Sequence, residues 1–330
     1  MKISVIIPVY NLEKYISKSL NSILSQKFDH DLEVIVVDDG STDNSLEIVD
    51  KIREADSRVK LLSQKNAGVS AARNAGLDIA TGKYVVFVDG DDILFPNVLQ
   101  MLTSELDKNP EAILACGLHH RITSYEQKAP NTEDTTRYSD SEEILKNLLV
   151  GKYDVSACAK MFVKASIGNL RFVQGKRINE DKYFLFKYLL HNKGIVIDKN
   201  VYVYGYYIRN GSATTSLFSS ATLDMIYFSQ AIENDIRVFA PSMFDCARYN
   251  NIVTHLAVLK KIIRSGTYNA PEASFEQLRS KTLALQNDSR TNTKNNRNLE
   301  LSILRSGSLL YVACVKLFDV LRKHKTNERA

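Results

Sequence analysis

The chain has 330 residues, 44% hydrophobic and 25% charged, with a formal net charge of +5. This is an ordinary globular composition, long enough for one large α/β domain with an appendage or for two domains. The mild positive balance favours anionic partners without pointing to nucleic acid, and Cys116, Cys158, Cys246 and Cys314 are too dispersed for a cysteine metal cluster, which fits reduced thiols.

The opening MKISVIIPVYN has a short apolar run leading into Pro8 and Asn11, with no small-residue cleavage site. It is expected to be a buried strand over 3–9, not a signal peptide. Leu12, Ile16, Leu20, Ile23 and Leu24 fall on one helical face, predicting a helix over 12–27. LEVIVV at 32–37 reads as a second strand, and the turn DDGSTDNS offers caps for the helix SLEIVDKIREA. VKLLS at 59–63 is a third strand. A helix over 66–82 ending at Gly82 follows, then a fourth strand, KYVVFV, at 83–88.

This alternation predicts a mostly parallel sheet flanked by helices. In such sheets ligands sit beyond the carboxyl ends of the strands, where strand order reverses. Three strands end in Tyr10 and Asn11, in Asp38 and Asp39, and in Asp89, Asp91 and Asp92. These groups are expected to converge on one edge.

Further on, a helix is expected over 97–110 and a strand near 112–118. His119 and His120 are adjacent, so a strand would point them to opposite faces. The polar stretch 123–141 reads as a loop beside the site. Helices follow at 142–150 and 179–194, and 195–216 reads as two strands around a glycine turn. The pattern is helical from 221, which puts a boundary near 215 between a catalytic domain, 1–215, and a helical C-terminal region, 216–330. The stretch 287–298 reads as a flexible linker.

Three carboxylates at a strand end can be hydrated, can cap turns, or can face a divalent cation. Mg²⁺ and Mn²⁺ prefer such oxygen donors and often combine one or two carboxylates with substrate phosphates. An isolated DxD is a weak signal. A DxDD directly after a buried strand, facing other polar strand ends, is stronger.

VIIPVYN, VIVVDDGSTD, NAGVSAARNAGLDIATGKYVVFVDGDD and NED occur in order with familiar intervals. Here the chain resembles the inverting glycosyltransferases of family 2, which have the GT-A fold. The resemblance is dense over 1–100 and looser to about 215. It implies a UDP-sugar donor, Mn²⁺ or Mg²⁺, and transfer of a sugar with inversion to a hydroxyl of a glycan or lipid-linked oligosaccharide. It implies a donor site of Pro8, Tyr10, Asp39, Arg73, Asp89, Gly90, Arg209 and Ser212. Within it Tyr10 would stack on uracil, Asp39 would accept its N3–H, and Arg209 and Ser212 would clamp the diphosphate. Arg73 would reach the base or the diphosphate. Asp91, with a share from Asp89, would hold the metal. Asp181 would be the base, with Glu180 contacting the acceptor, and Lys160 matches a recurrent basic position. With no tryptophan in the chain, the Q-x-x-R-W motif of processive members is absent, which argues for single-sugar addition.

A nucleotidyltransferase would normally carry a glycine-rich basic phosphate loop that PVYNLEKY lacks, and a dehydrogenase would need a G-x-G-x-x-G after a strand. A non-catalytic nucleotide- or glycan-binding subunit of an assembly complex is the remaining alternative. Residues 288–330 hold nine Lys or Arg against four Asp or Glu. Their apolar run is too interrupted to span a bilayer. It suits an amphipathic helix on a membrane surface, a homodimer contact, or docking on the main domain. The resulting expectation is a cytoplasmic protein, peripheral at the inner face of the cell membrane, that does not bind nucleic acid.

Overall fold

The computed structural model describes residues 1–27, 29–209, 218–270, 273–287 and 296–327. The chain divides into two compact units, Met1–Leu148 with Tyr153–Ser212, and Leu149–Lys152 with Ala213–Ala330.

The first unit is built on a nine-stranded sheet. Its elements are β1 (Lys2–Val9), α1 (Ile16–Leu24), β2 (Asp31–Asp38), α2 (Ser45–Ala55), β3 (Val59–Ser63), α3 (Val69–Ile79), β4 (Tyr84–Phe87), β5 (Ile93–Leu94), α4 (Val98–Lys108), β6 (Ala112–Ile122), β7 (Thr136–Asp140), α5 (Ser141–Leu149), β8 (Lys160–Val163), α6 (Lys164–Ile167), α7 (Glu180–His191) and β9 (Ile195–Tyr207). The strand order is β3-β2-β1-β4-β8-β6-β9-β5, with β7 also pairing β9. The pairs β1/β2, β2/β3, β1/β4 and β6/β9 are parallel, whereas β8, β5 and β7 pair antiparallel to their neighbours. The fold is GT-A, a mixed and mostly parallel sheet between helices.

The central strands are buried on both faces. Val34, Ile35, Val36 and Val37 of β2 have no exposed surface, as expected where helices cover both sides of a parallel sheet. Each such side chain stabilises the fold by about 1.5–3 kcal/mol. Strand order reverses between β1 and β4. The register pairs Val9 with Asp38 and Ile6 with Phe87, so the ends of β1, β2 and β4 share one edge.

Four expectations are corrected. Helix α3 ends at Ile79, not Gly82. Gly82 is instead a close-approach position: a Cβ there would lie 2.6 Å from the Ser4 amide nitrogen. The 195–216 stretch holds one long strand, β9, over its described part. Gly205 makes no turn; it lies inside the strand, where a Cβ would come within 2.7 Å of Ile93 and block β5. The polar 123–141 stretch contains β7, which pairs with β9 through Tyr138 and Ile197. Helix α1 begins at Ile16, because Leu12 to Tyr15 form a turn after Asn11, whose φ is 54°.

The second unit is helical: α8 (Asp224–Phe239), α9 (Phe244–Ser265), α10 (Phe275–Asn287), α11 (Asn296–Ser306) and α12 (Ser308–Asn327), with a short ribbon of β10 (Asn269–Ala270) and β11 (Ala273–Ser274). Its core gathers Leu256, Leu259 and Ile262 of α9 with Leu301 and Leu304 of α11 and Tyr311 of α12. A buried polar knot ties α8 to α9: Glu233 pairs with Arg248 at 2.8 Å and accepts from Asn251 at 2.8 Å. Most of the expected linker at 287–298 lies outside the described residues, and its last three residues begin α11. Among the described residues, no helix is long and apolar enough to cross a membrane.

Candidate active site

The DxDD turn sits where β4 leaves the sheet. Gly90 lies against the Pro8 carbonyl and Leu12, so Pro8 and Gly90 set the approach of this turn to the end of β1. Asp92 is buried and ties the turn to β9. It accepts from the Tyr204 hydroxyl at 2.7 Å and the Tyr207 amide at 2.8 Å, while the Tyr204 hydroxyl accepts the Asp89 amide at 3.0 Å. Burial, followed by the charges of Asp89 and Asp91, pushes Asp92 up to about 8.

Arg73 is the centre of the site. It projects from α3, only 2% exposed. One terminal nitrogen donates to Asp89 at 2.7 Å; the other donates to Asp181 at 2.5 Å and lies 3.6 Å from Glu180. The guanidinium also lies over the Phe172 ring, 5.2 Å from its centroid. Its Nε is buried with no hydrogen-bond partner among the described residues. Asp89 and Asp181, 92 residues apart in sequence, are thereby brought to one point. Glu180 and Asp181 open α7 after Asn179, which takes a left-handed φ of 73°. Asp181 also accepts the Ala157 amide at 3.1 Å.

The electrostatics follow from burial. Asp91 is raised by burial and by Asp89, against the pull of Arg209, whose Nε lies 2.8 Å from it. Glu180 is pushed up to about 8 by burial and by Asp181. Asp181 is raised by burial, and the Arg73 guanidinium opposes this. Of this pair, Asp181 has the closer cation. The site thus sets five carboxyl groups, Asp89, Asp91, Asp92, Glu180 and Asp181, against two guanidinium groups, Arg73 and Arg209. With all five ionised, three negative charges lack a counter-charge. Buried carboxylates relieve such an excess by taking up protons or by holding a cation.

The remaining expected residues fall nearby or elsewhere. Tyr10 is 48% exposed at the end of β1. Asp39 is buried and closes the turn before α3: one oxygen accepts from Gln64 at 2.7 Å and Ala67 at 2.9 Å, the other from Gly68 at 2.8 Å. Asp38 accepts the Ser41 amide at 3.2 Å. Ser212 lies outside the described residues. Lys160 is buried and donates to Asp154 at 2.5 Å, and His119 meets the same carboxylate at 3.0 Å. Although burial works the other way, these contacts hold Asp154 well below the usual carboxylate range. His120 bonds Gln127 instead, so the two histidines do diverge.

Sequence reading missed an aromatic wall beside Asp91. Tyr125 stacks on Tyr207 with centroids 4.5 Å apart, Tyr15 lies tilted against Tyr207, and the Arg209 guanidinium lies over Tyr15. The Tyr125 hydroxyl donates to the Asp91 carbonyl at 2.8 Å, which pins this wall to the turn. These residues come from three separate segments, and only the tyrosine-rich run at 202–207 hinted at them.

Asp89 and Asp91 are hard oxygen donors in a negatively charged pocket, a donor set that suits Mg²⁺ or Mn²⁺. Among the described residues, no group of three His, Cys, Asp or Glu side chains is arranged to hold a metal ion by itself. Cations of this kind commonly complete their shell with water and substrate phosphate.

A GT-A sheet with acids gathered at its switch point defines the class of nucleotide-sugar-dependent glycosyltransferases. Residues 4–170 match the family described as glycosyl transferase family 2. The glycosyltransferase GlyG of Streptococcus pneumoniae serotype 4 is 31% identical over 257 residues, covering 74% of this chain and 80% of GlyG. The chain belongs to glycosyl transferase family 2. Glycosyltransferase GlyA of the same organism is 36% identical over 226 residues, covering 64% of this chain but only 31% of GlyA. The S. aureus TarS 1-349 structure in complex with UDP-GlcNAc superposes with a TM-score of 0.69 at 21% identity, covering 97% of this chain and 92% of that one.

Proposed function

We propose that the chain transfers a single sugar from a UDP-sugar, with inversion, to a hydroxyl of a glycan or lipid-linked oligosaccharide, assisted by Mn²⁺ or Mg²⁺. The observation that carries this reading is the Arg73 bridge, which sets Asp181 beside the DxDD turn. Inversion needs a base on the face of the sugar opposite the leaving group. Asp181 has that role: it is paired with Arg73 and oriented by the Ala157 amide. Glu180, pushed up to about 8, carries a proton near neutral pH and acts as a hydrogen-bond donor to the acceptor.

Tyr10 offers an exposed ring for a uracil face. Asp39 already takes three donors, which leaves one lone pair for the base N3–H. Arg209, beside Asp91, is a donor for phosphate or ribose oxygens. A divalent ion held by Asp91 and Asp89 would offset the charge that develops on the departing nucleoside diphosphate. The choice of UDP is supported by TarS, whose structures hold UDP-GlcNAc and UDP.

The test is a UDP-release assay over a panel of UDP-sugars with and without Mn²⁺, alongside calorimetry with UDP. Asp181→Asn is expected to abolish transfer while leaving UDP binding intact. Asp91→Asn is expected to remove the Mn²⁺ dependence of UDP binding. Full transfer by Asp181→Asn would remove the assigned base. Metal-dependent UDP binding without transfer to any acceptor would favour a binding subunit instead.

A further inference from the structure

The C-terminal helix α12 presents an apolar face that the second unit leaves uncovered. Leu309, Leu310, Leu317, Phe318, Val320 and Leu321 are each 51–88% exposed. At about 100° per residue these positions span roughly half of the helix circumference. The other side is already in use: Tyr311, at the border of this face, is buried in the core with α9 and α11, Val312 and Val315 pack against that core, and Asp319 pairs with Arg264 of α9 at 2.7 Å. The packing of α12 on α9 therefore holds the apolar face outward.

Charge identifies what covers it. The helix carries Lys316, Arg322, Lys323 and Lys325 against a single acid, Asp319, which is engaged by Arg264. Lys316 is exposed at the edge of the apolar face. A second copy of the chain would bring two such basic helices together. A bilayer carrying anionic headgroups would take up the apolar side chains and attract the net positive charge of the helix. We infer that α12 is an interfacial helix that docks the chain on an anionic lipid surface. The inference stands on this helix alone, independently of the donor, acceptor and metal proposed above. It involves lying on the membrane, since Lys316 and Asp319 interrupt any run long enough to cross it.

Vesicle flotation of the full chain tests it, using phosphatidylcholine vesicles with and without phosphatidylglycerol. The chain should float with the anionic vesicles and be released by high salt. Leu317→Glu with Phe318→Glu should lower the bound fraction roughly tenfold or more, with an unchanged far-UV circular dichroism spectrum and melting curve. If that variant misfolds, Lys316→Glu carries the test and should weaken binding to anionic vesicles alone. Equal flotation of wild type and variants would overturn the inference, as would equal binding to neutral vesicles. So would light scattering that shows a lipid-free dimer dissociated by the same substitutions, which would assign the face to a second copy.

Discussion

Replacing Arg73 by Met keeps the apolar stem of the side chain and deletes the charge. Asp89 loses a donor at 2.7 Å and Asp181 one at 2.5 Å, while Glu180 loses a cation 3.6 Å away. Removing one member of a buried ion pair costs about 3–5 kcal/mol, because the partner stays buried without a counter-charge. For a unit of this size each kcal/mol moves Tm by about 2–4 °C, so the variant should melt roughly 6–20 °C lower. The penalty should depend on pH, with a definite sign. Burial already holds Glu180 and Asp181 above their ordinary values, and Arg73 is the opposing influence on both. Without it both rise further. The folded state then keeps protons that the unfolded chain has released, so stability falls as pH climbs through that window. Differential scanning calorimetry at about pH 5.5 and about pH 8 should therefore show the larger loss at the higher value. Adding Asp181→Asn to the variant should restore part of the loss, because it removes one stranded charge. A Tm unchanged at both pH values, or a loss independent of pH, would show that Arg73 does not hold this group of acids together.

Arg209→Ala frees an Asp91 oxygen from its ion pair. Mn²⁺ binding without nucleotide, followed by the loss of the free-ion electron paramagnetic resonance signal, should tighten several-fold, while UDP binding should weaken. Asp92→Asn removes a carboxyl raised to about 8, chiefly by burial. Because the folded value lies above the unfolded one, ionised Asp92 costs stability progressively from about pH 4 and in full above about pH 8. Thermal melts should show a gain for this variant that grows with pH and vanishes in acid. Gly82→Ala forces a Cβ to within 2.6 Å of the Ser4 backbone nitrogen. Urea unfolding should show a loss of about 1–3 kcal/mol or more.

The parallel half of the sheet was legible because its signals are local. Each run of Val and Ile is bounded by turn residues, and alternation with amphipathic helices leaves little freedom of arrangement. The antiparallel half was not. Strand β8 has four residues, KMFV, and β5 has two, too few for a period to emerge. Strand β7, TRYSD, reads as loop because most of it is solvated, and only its pairing with β9 makes it a strand. A glycine turn was expected in 195–216 because glycine marks both turns and close approaches; Gly205 is a close approach, and Ile93, which decides this, lies 112 residues away. The acids of the site were legible as types and positions. Their contacts with one another were not.

Arg73 shows where a stronger reading was available. A surface helix has one apolar stripe and one polar face. In α3, by contrast, Ser70, Ala71, Ala72, Asn74, Gly76 and Leu77 are all buried, so small residues occur on every side. Small residues all round signal a helix pressed between other elements, and a guanidinium inside such a helix has no water to solvate it. It must then find anions. The chain places acidic groups at strand or helix termini in few positions, and DGDD and NED are two of them. The burial of this cation calls for anions, and Asp89 of the first motif and Asp181 of the second supply them. It also explains why the site tolerates its own charge. Arg73 stabilises the acids enough for the unit to fold, and the excess that remains is the attraction a cationic ligand would meet.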